Sequence, residues 1–181
     1  MNNELLLENL KFFLNINEEE LFDFAKKFFS RSYNHVLCED GFYILAFNVP
    51  SNIWIVAHTD TFGSNSYSNK DKLKDLYDYP YYDYLYYDYS GKPEEKEILV
   101  NRVKGKTYVF SSEIFKRYSG QCLGGDDRAG VSMIFSLIEE IGPKDFNVAL
   151  FSGEELGGYG VERAVSDQAN ILKRARCFIE L

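Results

Sequence analysis

Cysteine and histidine are scarce in this chain of 181 residues, which contains three cysteines and two histidines. The cysteines, Cys38, Cys122 and Cys177, are far apart in the sequence, and no Cys-x-x-Cys pair is present. The cysteine pattern therefore gives no sign of a structural zinc site or a redox pair. An odd number of widely spaced cysteines is instead typical of reduced, buried thiols, so we expect a cytoplasmic protein.

Long hydrophobic runs are missing as well, and basic residues are fewer than acidic ones. The apolar stretch from Leu5 to Leu14 is interrupted by Glu8, Asn9 and Lys11, which makes it neither a signal peptide nor a membrane span. The chain has 20 Lys and Arg against 28 Asp and Glu, a formal net charge of -8. An acidic protein repels nucleic acid, so we expect neither a nucleic-acid partner nor a membrane partner.

The remaining composition is that of a globular protein, with 45% hydrophobic and 27% charged residues. This length suffices for one domain with a sizeable core, and we predict a single domain over 1–181. A segment at about 64–96 is biased towards Tyr and Asp and ends in turn residues, so it is interpreted as an insertion. The insertion either forms its own small cluster or serves as a lid or a subunit contact. In the last case the protein would be a homo-oligomer.

Hydrophobic periodicity and turn residues predict an α/β protein. The expected helices are Leu5–Leu14, a second helix opened by Asn17 and its following glutamates, a third after Gly130, and a fourth over Val161–Leu172. The expected strands are Val36–Glu39, Phe42–Phe47, Ile53–Ala57, Ile98–Val103, Thr107–Phe110, Phe146–Phe151 and Arg176–Leu181. The phenylalanines of the second helix fit a core face better than a partner-binding stripe. His35 has no acidic partner at ligand spacing and is interpreted as structural.

Acidic or imidazole side chains follow an apolar or glycine-marked stretch at three places, and these are His58 with Asp60, Asp126 with Asp127, and Glu154 with Glu155. Ligands of α/β folds bind at the carboxyl ends of strands, where such groups would meet. Converging carboxylates repel one another unless a cation lies between them. Histidine, aspartate and glutamate together suit zinc, or else manganese or cobalt, so the three places predict a metal site.

Each place has a simpler interpretation when it is considered alone. The Gly-Asp-Asp stretch can be a helix N-terminus after a loop, and His58 can be a buried histidine paired with a capping Asp60. The glycines at 157–160 resemble a phosphate cradle, but they lack the lysine and Ser/Thr of a P-loop and the spacing of a dinucleotide fingerprint. Only the three places together favour a metal site.

The residues of the three stretches, and the order in which they occur, resemble the motifs of the di-zinc exopeptidase clan. They read His-Thr-Asp at 58–60, Gly-Gly-Asp-Asp-Arg-Ala-Gly at 124–130 and Ser-Gly-Glu-Glu-Leu-Gly-Gly-Tyr-Gly at 152–160. The clan includes glutamyl and deblocking aminopeptidases, peptidase T and acetylornithine deacetylase, and the first of these branches is the most similar. The resemblance spans roughly Ile53 to Leu181, apart from the segment between the first two motifs. It implies a three-layer, zinc-exopeptidase-like (phosphorylase/hydrolase-like) mixed sheet flanked by helices.

The resemblance also implies a role for each site residue. Asp126 would bridge two divalent ions, which are zinc in the clan, and the peptide to Asp127 is often cis in relatives. His58 would bind one ion and Glu155 the other, while Asp60 would hold the second ring nitrogen of His58. Glu154 would be the general base. The implied activity is that of a metal-dependent, aminopeptidase-like peptidase or amidohydrolase acting on a peptide or an N-acyl amino acid.

Two metal ligands of the clan have no clear counterpart in the sequence. The clan places an acid after the next strand, where Glu180 is the nearest substitute, and a histidine much further on, but no histidine follows His58. We therefore expect either the N-terminal part of a longer catalytic domain, truncated after Leu181, or a naturally short relative. The alternative function is that of a non-catalytic scaffold or binding module that uses the Tyr-rich insertion.

Overall fold

A computed structural model describes residues 2–60, 98–111, 125–143, 145–154 and 157–181. The Tyr/Asp-rich insertion, the segment that follows Ser111, Cys122 and Glu155 lie outside the described residues, so the predictions made for them stay predictions. Among the described residues, no helix is both long enough and apolar enough to cross a membrane.

The described residues contain four helices, α1 (Asn3–Asn15), α2 (Glu18–Ser32), α3 (Gly125–Ile141) and α4 (Tyr159–Leu172). The second helix begins with a capping box, because the side chain of Asn17 accepts from the amide of Glu20 at 2.8 Å while the carboxylate of Glu20 accepts from the amide of Asn17 at 3.0 Å. These bonds satisfy amides that have no partner within the helix. All four helices were predicted, but α3 begins at Gly125, several residues before its predicted start after Gly130.

Seven strands are described, β1 (His35–Glu39), β2 (Tyr43–Phe47), β3 (Ile53–His58), β4 (Ile98–Val103), β5 (Lys106–Ser111), β6 (Phe146–Phe151) and β7 (Cys177–Glu180). Five of them form one sheet in the order β1-β2-β6-β3-β7, and β4 with β5 forms a separate hairpin. The central pairs β3/β6 and β3/β7 are parallel, whereas β1/β2 and β2/β6 are antiparallel. The protein is therefore mixed α/β with a mixed five-stranded sheet, as the sequence predicted at this level.

The sheet has a separate hydrophobic core on each face. One core joins the sheet to α1, α2 and α3 through residues such as Phe13, Phe29 and Phe135, whose rings are in contact. The other core joins the sheet to α4 and includes Trp54 and Leu172. The phenylalanines of α2 thus contribute to the core, as predicted, although Phe24 remains 37% exposed.

The pairing register of β3 and β6 determines where the candidate site lies. In the parallel pair β3/β6, His58 lies opposite Phe151, so the two strands end at the same edge of the sheet. The predicted β3 ended at Ala57, but the strand continues to His58 because the pairing with β6 extends that far. The histidine is therefore held by the sheet rather than by a loop, and the residues that follow β3 and β6 emerge side by side.

Candidate functional site

Three of the predicted site residues meet at this edge of the sheet. The Nε2 atom of His58 lies 3.0 Å from Oδ1 of Asp126 and 4.0 Å from Oε2 of Glu154. His58 is at the end of β3, Asp126 is at the start of α3, and Glu154 follows β6. The side chain of His58 is 9% exposed, while those of Asp126 and Glu154 are 86% and 52% exposed. The imidazole therefore lies at the boundary between the core and an open acidic surface.

Asp60 fixes the orientation of the His58 ring, mainly through its main chain. The Nδ1 atom of His58 is 2.9 Å from the backbone carbonyl oxygen of Asp60 and 3.5 Å from the carboxylate Oδ1. Both atoms are acceptors and suit a proton on Nδ1, while Nε2 faces the Asp126 carboxylate, which is an acceptor as well. The sequence predicted that the Asp60 carboxylate would hold this nitrogen, but the shorter contact is to the carbonyl. The buried carboxylate also accepts from the amide of Glu154 at 3.1 Å, so Asp60 links the two strand ends.

The acidic surroundings favour the charged form of His58. Burial lowers its pKa, but hydrogen bonds to Asp60 and Asp126 and the charges of Asp60 and Asp127 outweigh burial and raise the pKa to about 9. A positive charge on the imidazole compensates for the carboxylates around it. A bound cation would serve the same purpose and would displace the proton from Nε2.

Asp127 plays a different part from its neighbour Asp126. Its carboxylate is buried and accepts from the amide of Gly130 at 2.8 Å and from the amide of His58 at 3.3 Å. Burial raises the pKa of Asp127 to about 6, although both hydrogen bonds and the charge of His58 lower it. Asp127 thus ties α3 to the end of β3, a role that sequence reasoning did not assign to it.

The backbone at the start of α3 separates the two adjacent aspartates. The peptide bond between Asp126 and Asp127 is cis, as the resemblance implied, and neither residue has helical dihedral angles. Asp126 is exposed to solvent, whereas Asp127 is buried. A Cβ atom at Gly130 would lie 2.5 Å from either carboxylate oxygen of Asp127, which explains the glycine one turn into the helix.

A glycine-rich turn connects Glu154 to α4. Gly160, in the first turn of α4, donates its amide to the carbonyl oxygen of Ser152 at 2.9 Å. A Cβ atom there would lie 2.3 Å from that oxygen and 2.3 Å from the carbonyl oxygen of Phe42. Only glycine allows the helix to begin so close to the sheet, and this approach fixes where the chain leaves β6 towards Glu154.

Sequence reasoning missed a group of buried polar residues beneath the site. Glu18, Thr59, Arg128 and Ser152 are all at most 5% exposed. The hydroxyl of Thr59 donates to Oε1 of Glu18 at 2.7 Å, and the nearby hydroxyl of Ser152 lowers the pKa of this carboxylate, which burial raises. The sequence placed Glu18 only in an acidic helix start, because no local signal reports a contact between residues 41 positions apart.

The donor set suits a divalent ion but is not a complete site among the described residues. Imidazole nitrogen and carboxylate oxygen are zinc ligands, and two ligands about 2.0–2.2 Å from a tetrahedral ion lie about 3.3–3.6 Å apart, so the 3.0 Å between His58 and Asp126 would lengthen slightly to admit the ion. No cluster of three or more His, Cys, Asp or Glu that could hold a metal occurs in the described part of the chain. The third expected ligand, Glu155, lies outside that part.

Glu180, the substitute ligand suggested by the sequence, is on β7 next to β3. It pairs in register with Val56, two residues before His58, and it is exposed. Side chains of paired residues in parallel strands share a face of the sheet, and alternation places His58 on the face of Val56. The register therefore places Glu180 on the same face of the sheet as His58, but two residues before it along the strand direction. No ion pair joins the two residues.

No protein-family model, curated protein or solved structure matches this chain.

Proposed function

We propose that the protein is a metal-dependent peptidase or amidohydrolase of the di-zinc exopeptidase type, with an aminopeptidase-like activity. The observation that carries the proposal is the approach of Asp126 and Glu154 to the same nitrogen of His58, at 3.0 Å and 4.0 Å. The nitrogen on the other side of the ring is held by Asp60. Two helix layers around a mixed sheet fit the proposed three-layer fold.

The proposed metal ligands are His58, Asp126 and Glu155, with Asp126 shared between two ions. Zinc is the preferred metal, and manganese and cobalt are the alternatives. Bound ions would supply Lewis acidity, which polarises an amide carbonyl and lowers the pKa of water. An orienting acceptor on Nδ1 is the usual partner of a metal-binding histidine, and the Asp60 carbonyl provides it here.

Glu154 is the proposed general base. Its carboxylate is 52% exposed and faces Nε2 of His58, so it is open to a substrate while its amide is anchored on Asp60. In the reaction, Glu154 takes a proton from the attacking water as the water oxygen bonds to the amide carbon. The same carboxylate then gives the proton to the leaving nitrogen as the carbon–nitrogen bond breaks. The expected substrates are peptides or N-acyl amino acids.

Metal titration separates this proposal from the alternative of a non-catalytic scaffold. Calorimetry with Zn²⁺, Mn²⁺ and Co²⁺ should show binding by the unchanged chain, loss of binding in Asp126→Ala, and binding retained in Glu154→Gln. Aminoacyl p-nitroanilides should be hydrolysed by the unchanged chain, and Glu154→Gln should reduce the rate at least about 100-fold, as expected for loss of a general base.

The matched control is Glu162→Gln, which neutralises an exposed glutamate in the first turn of α4. It should leave both binding and turnover unchanged. If none of the three metals binds the unchanged chain, the proposal of a metalloenzyme is wrong. If a metal binds but no amide substrate is cleaved, the scaffold alternative is favoured.

A further inference from the structure

Glu18 is buried although it opens a surface helix. Its side chain is 4% exposed, whereas Glu19 and Glu20, the next two residues of α2, are exposed. The capping box uses Asn17 and Glu20, so the start of the helix does not need Glu18 to be buried. Burial of a carboxylate is costly unless hydrogen bonds or a counter-charge compensate for it. The position of Glu18 therefore has to be explained by its partners.

The polar neighbours of the Glu18 carboxylate follow both strands that build the candidate site. Thr59 donates its hydroxyl to Glu18 Oε1 at 2.7 Å, and the Ser152 hydroxyl is close enough to the same carboxylate to lower its pKa, although burial raises that pKa overall. Thr59 lies between His58 and Asp60, and Ser152 lies two residues before Glu154. One carboxylate thus holds the two chain segments at the point where they leave the sheet.

Thr59 is the residue through which this support reaches the histidine. Its amide donates to the carbonyl oxygen of Phe151 at 2.7 Å, which already fixes its backbone against β6. A displacement of Thr59 would move the backbone of His58 on one side and the Asp60 carbonyl, the acceptor of Nδ1, on the other. The orientation of the imidazole therefore depends on both anchors of Thr59.

Arg128 supplies the counter-charge. Its side chain is buried at 3% exposure, and the charges of Glu18 and Asp60 both act on it. Arg128 follows directly after the Asp126–Asp127 pair, so the counter-charge comes from the second of the three motifs. Its Nη1 atom is buried and makes no hydrogen bond to the part of the chain that the structure describes.

We infer that Glu18 is a positioning residue of the candidate site, which aligns His58 through its hydrogen bond to Thr59 and supports the start of the Glu154 segment through its proximity to Ser152. The N-terminal helix α2 is then part of the functional unit rather than a covering layer alone. The part of the inference that concerns metal affinity rests on the proposed function, while the part that concerns the His58 ring does not.

The test compares Glu18→Gln with Glu19→Gln, which removes the same charge from an exposed position one residue later. A second pair, Thr59→Val and Thr59→Ser, removes or keeps the hydroxyl. We expect Glu18→Gln and Thr59→Val to weaken Co²⁺ binding about tenfold and to alter the visible spectrum of the bound cobalt, as loss of an outer hydrogen-bond partner does. Glu19→Gln and Thr59→Ser should bind as the unchanged chain does.

A measurement without metal keeps the two proposals distinguishable. The ring signals of His58 can be assigned by nuclear magnetic resonance in the chelated protein, because the chain has only two histidines and His35→Gln removes the other. We expect Glu18→Gln and Thr59→Val to shift these signals, and Glu19→Gln and Thr59→Ser to leave them in place. Folding of each variant is verified by its thermal transition, and the threonine pair decides if Glu18→Gln does not fold.

The outcomes separate as follows. If cobalt does not bind the unchanged chain but the ring signals shift, the proposed function fails and the positioning role stands. If Glu18→Gln and Thr59→Val fold and leave the His58 signals where they are in the unchanged chain, the positioning role is overturned and the group is only a structural link between α2 and the sheet.

Discussion

At the scale of single residues, the site is defined by which atom of each side chain makes a hydrogen bond and with which partner. His58 offers Nε2 because its Nδ1 is held by Asp60, and Asp126 is free to face Nε2 because its neighbour Asp127 takes the buried position. Two adjacent aspartates with identical chemistry thus have opposite environments. The difference comes from the backbone between them, so a substitution at one cannot be compensated by the other.

The pKa of His58 predicts how the stability of the metal-free protein depends on pH. The value in the folded chain is about 9, above the ordinary 6.5, so folding strengthens proton binding. The resulting stabilisation is complete below about pH 6.5 and is lost as the pH rises to about 9. A pKa shift of this size corresponds to about 3 kcal/mol in the free energy of unfolding. Urea unfolding with a chelator present should show this loss in the unchanged chain.

The His58→Gln variant should be less stable than the unchanged chain at pH 6.5 and should lack this part of the decline. His35→Gln serves as the control, because His35 stacks on Phe47 away from the acidic residues of the site, and it should keep the decline. Equal pH profiles for the unchanged chain and His58→Gln would show that the acidic surroundings do not stabilise the imidazolium.

At the scale of secondary structure, strand ends and helix starts carry the site. The parallel pair β3/β6 brings residues 58 and 154 to one edge, and the first turn of α3 adds residue 126. The start of α2 contributes Glu18, whose carboxylate accepts a hydrogen bond from Thr59. Gly130 leaves room for the carboxylate of Asp127, and Gly160 lets α4 begin close to the backbone of Phe42 and Ser152. The site therefore depends on where each helix begins as much as on the sheet.

The capping box of α2 gives a prediction at this scale. Asn17→Ala removes the acceptor of the Glu20 amide and should lower the free energy of unfolding by about 1 kcal/mol. Asn17→Asp keeps an acceptor oxygen and should stay within about 0.5 kcal/mol of the unchanged chain. Urea unfolding followed by circular dichroism measures both values. If Asn17→Ala is as stable as the unchanged chain, packing alone fixes the start of α2.

At the scale of the whole molecule, the candidate site lies where all three layers meet. The helices α2 and α3 pack on one face of the sheet and α4 packs on the other, and Glu154 follows β6 of the sheet between them. A ligand bound there contacts segments from both halves of the described chain. Metal binding should therefore stabilise the fold as a unit rather than one segment.

Metal linkage gives the prediction for the whole chain. At a free Zn²⁺ concentration 100 times the Kd, the folded state gains about 2.7 kcal/mol, which raises the Tm of a chain of this size by about 5–10 °C. Differential scanning calorimetry with and without a chelator measures the shift. Asp126→Ala should remove it, and Glu154→Gln should keep it. A zinc-induced rise of equal size in Asp126→Ala would place the binding site elsewhere.

Local patterns in the sequence were enough to predict the described helices and strands and to name four residues that the structure brings together. Alternation and helical spacing identified the described helices and strands, since these periods follow directly from backbone geometry. The motifs at 58–60, 124–130 and 152–160 named His58, Asp60, Asp126 and Glu154, and the structure brings all four together. Whether Glu155 joins them stays a prediction.

Only the tertiary structure decided how the site is held. Burial of Glu18, its bond to Thr59, and the inward turn of Asp127 depend on contacts between segments that are distant in sequence, and such contacts leave no periodic signal. The choice of the Asp60 carbonyl over its carboxylate as the nearer partner of His58 is likewise set by the path of the chain after β3. The sequence by itself determined which chemical groups are available, because residue type fixes chemistry, while the fold determined their distances, burial and pKa values, because these depend on what surrounds each group.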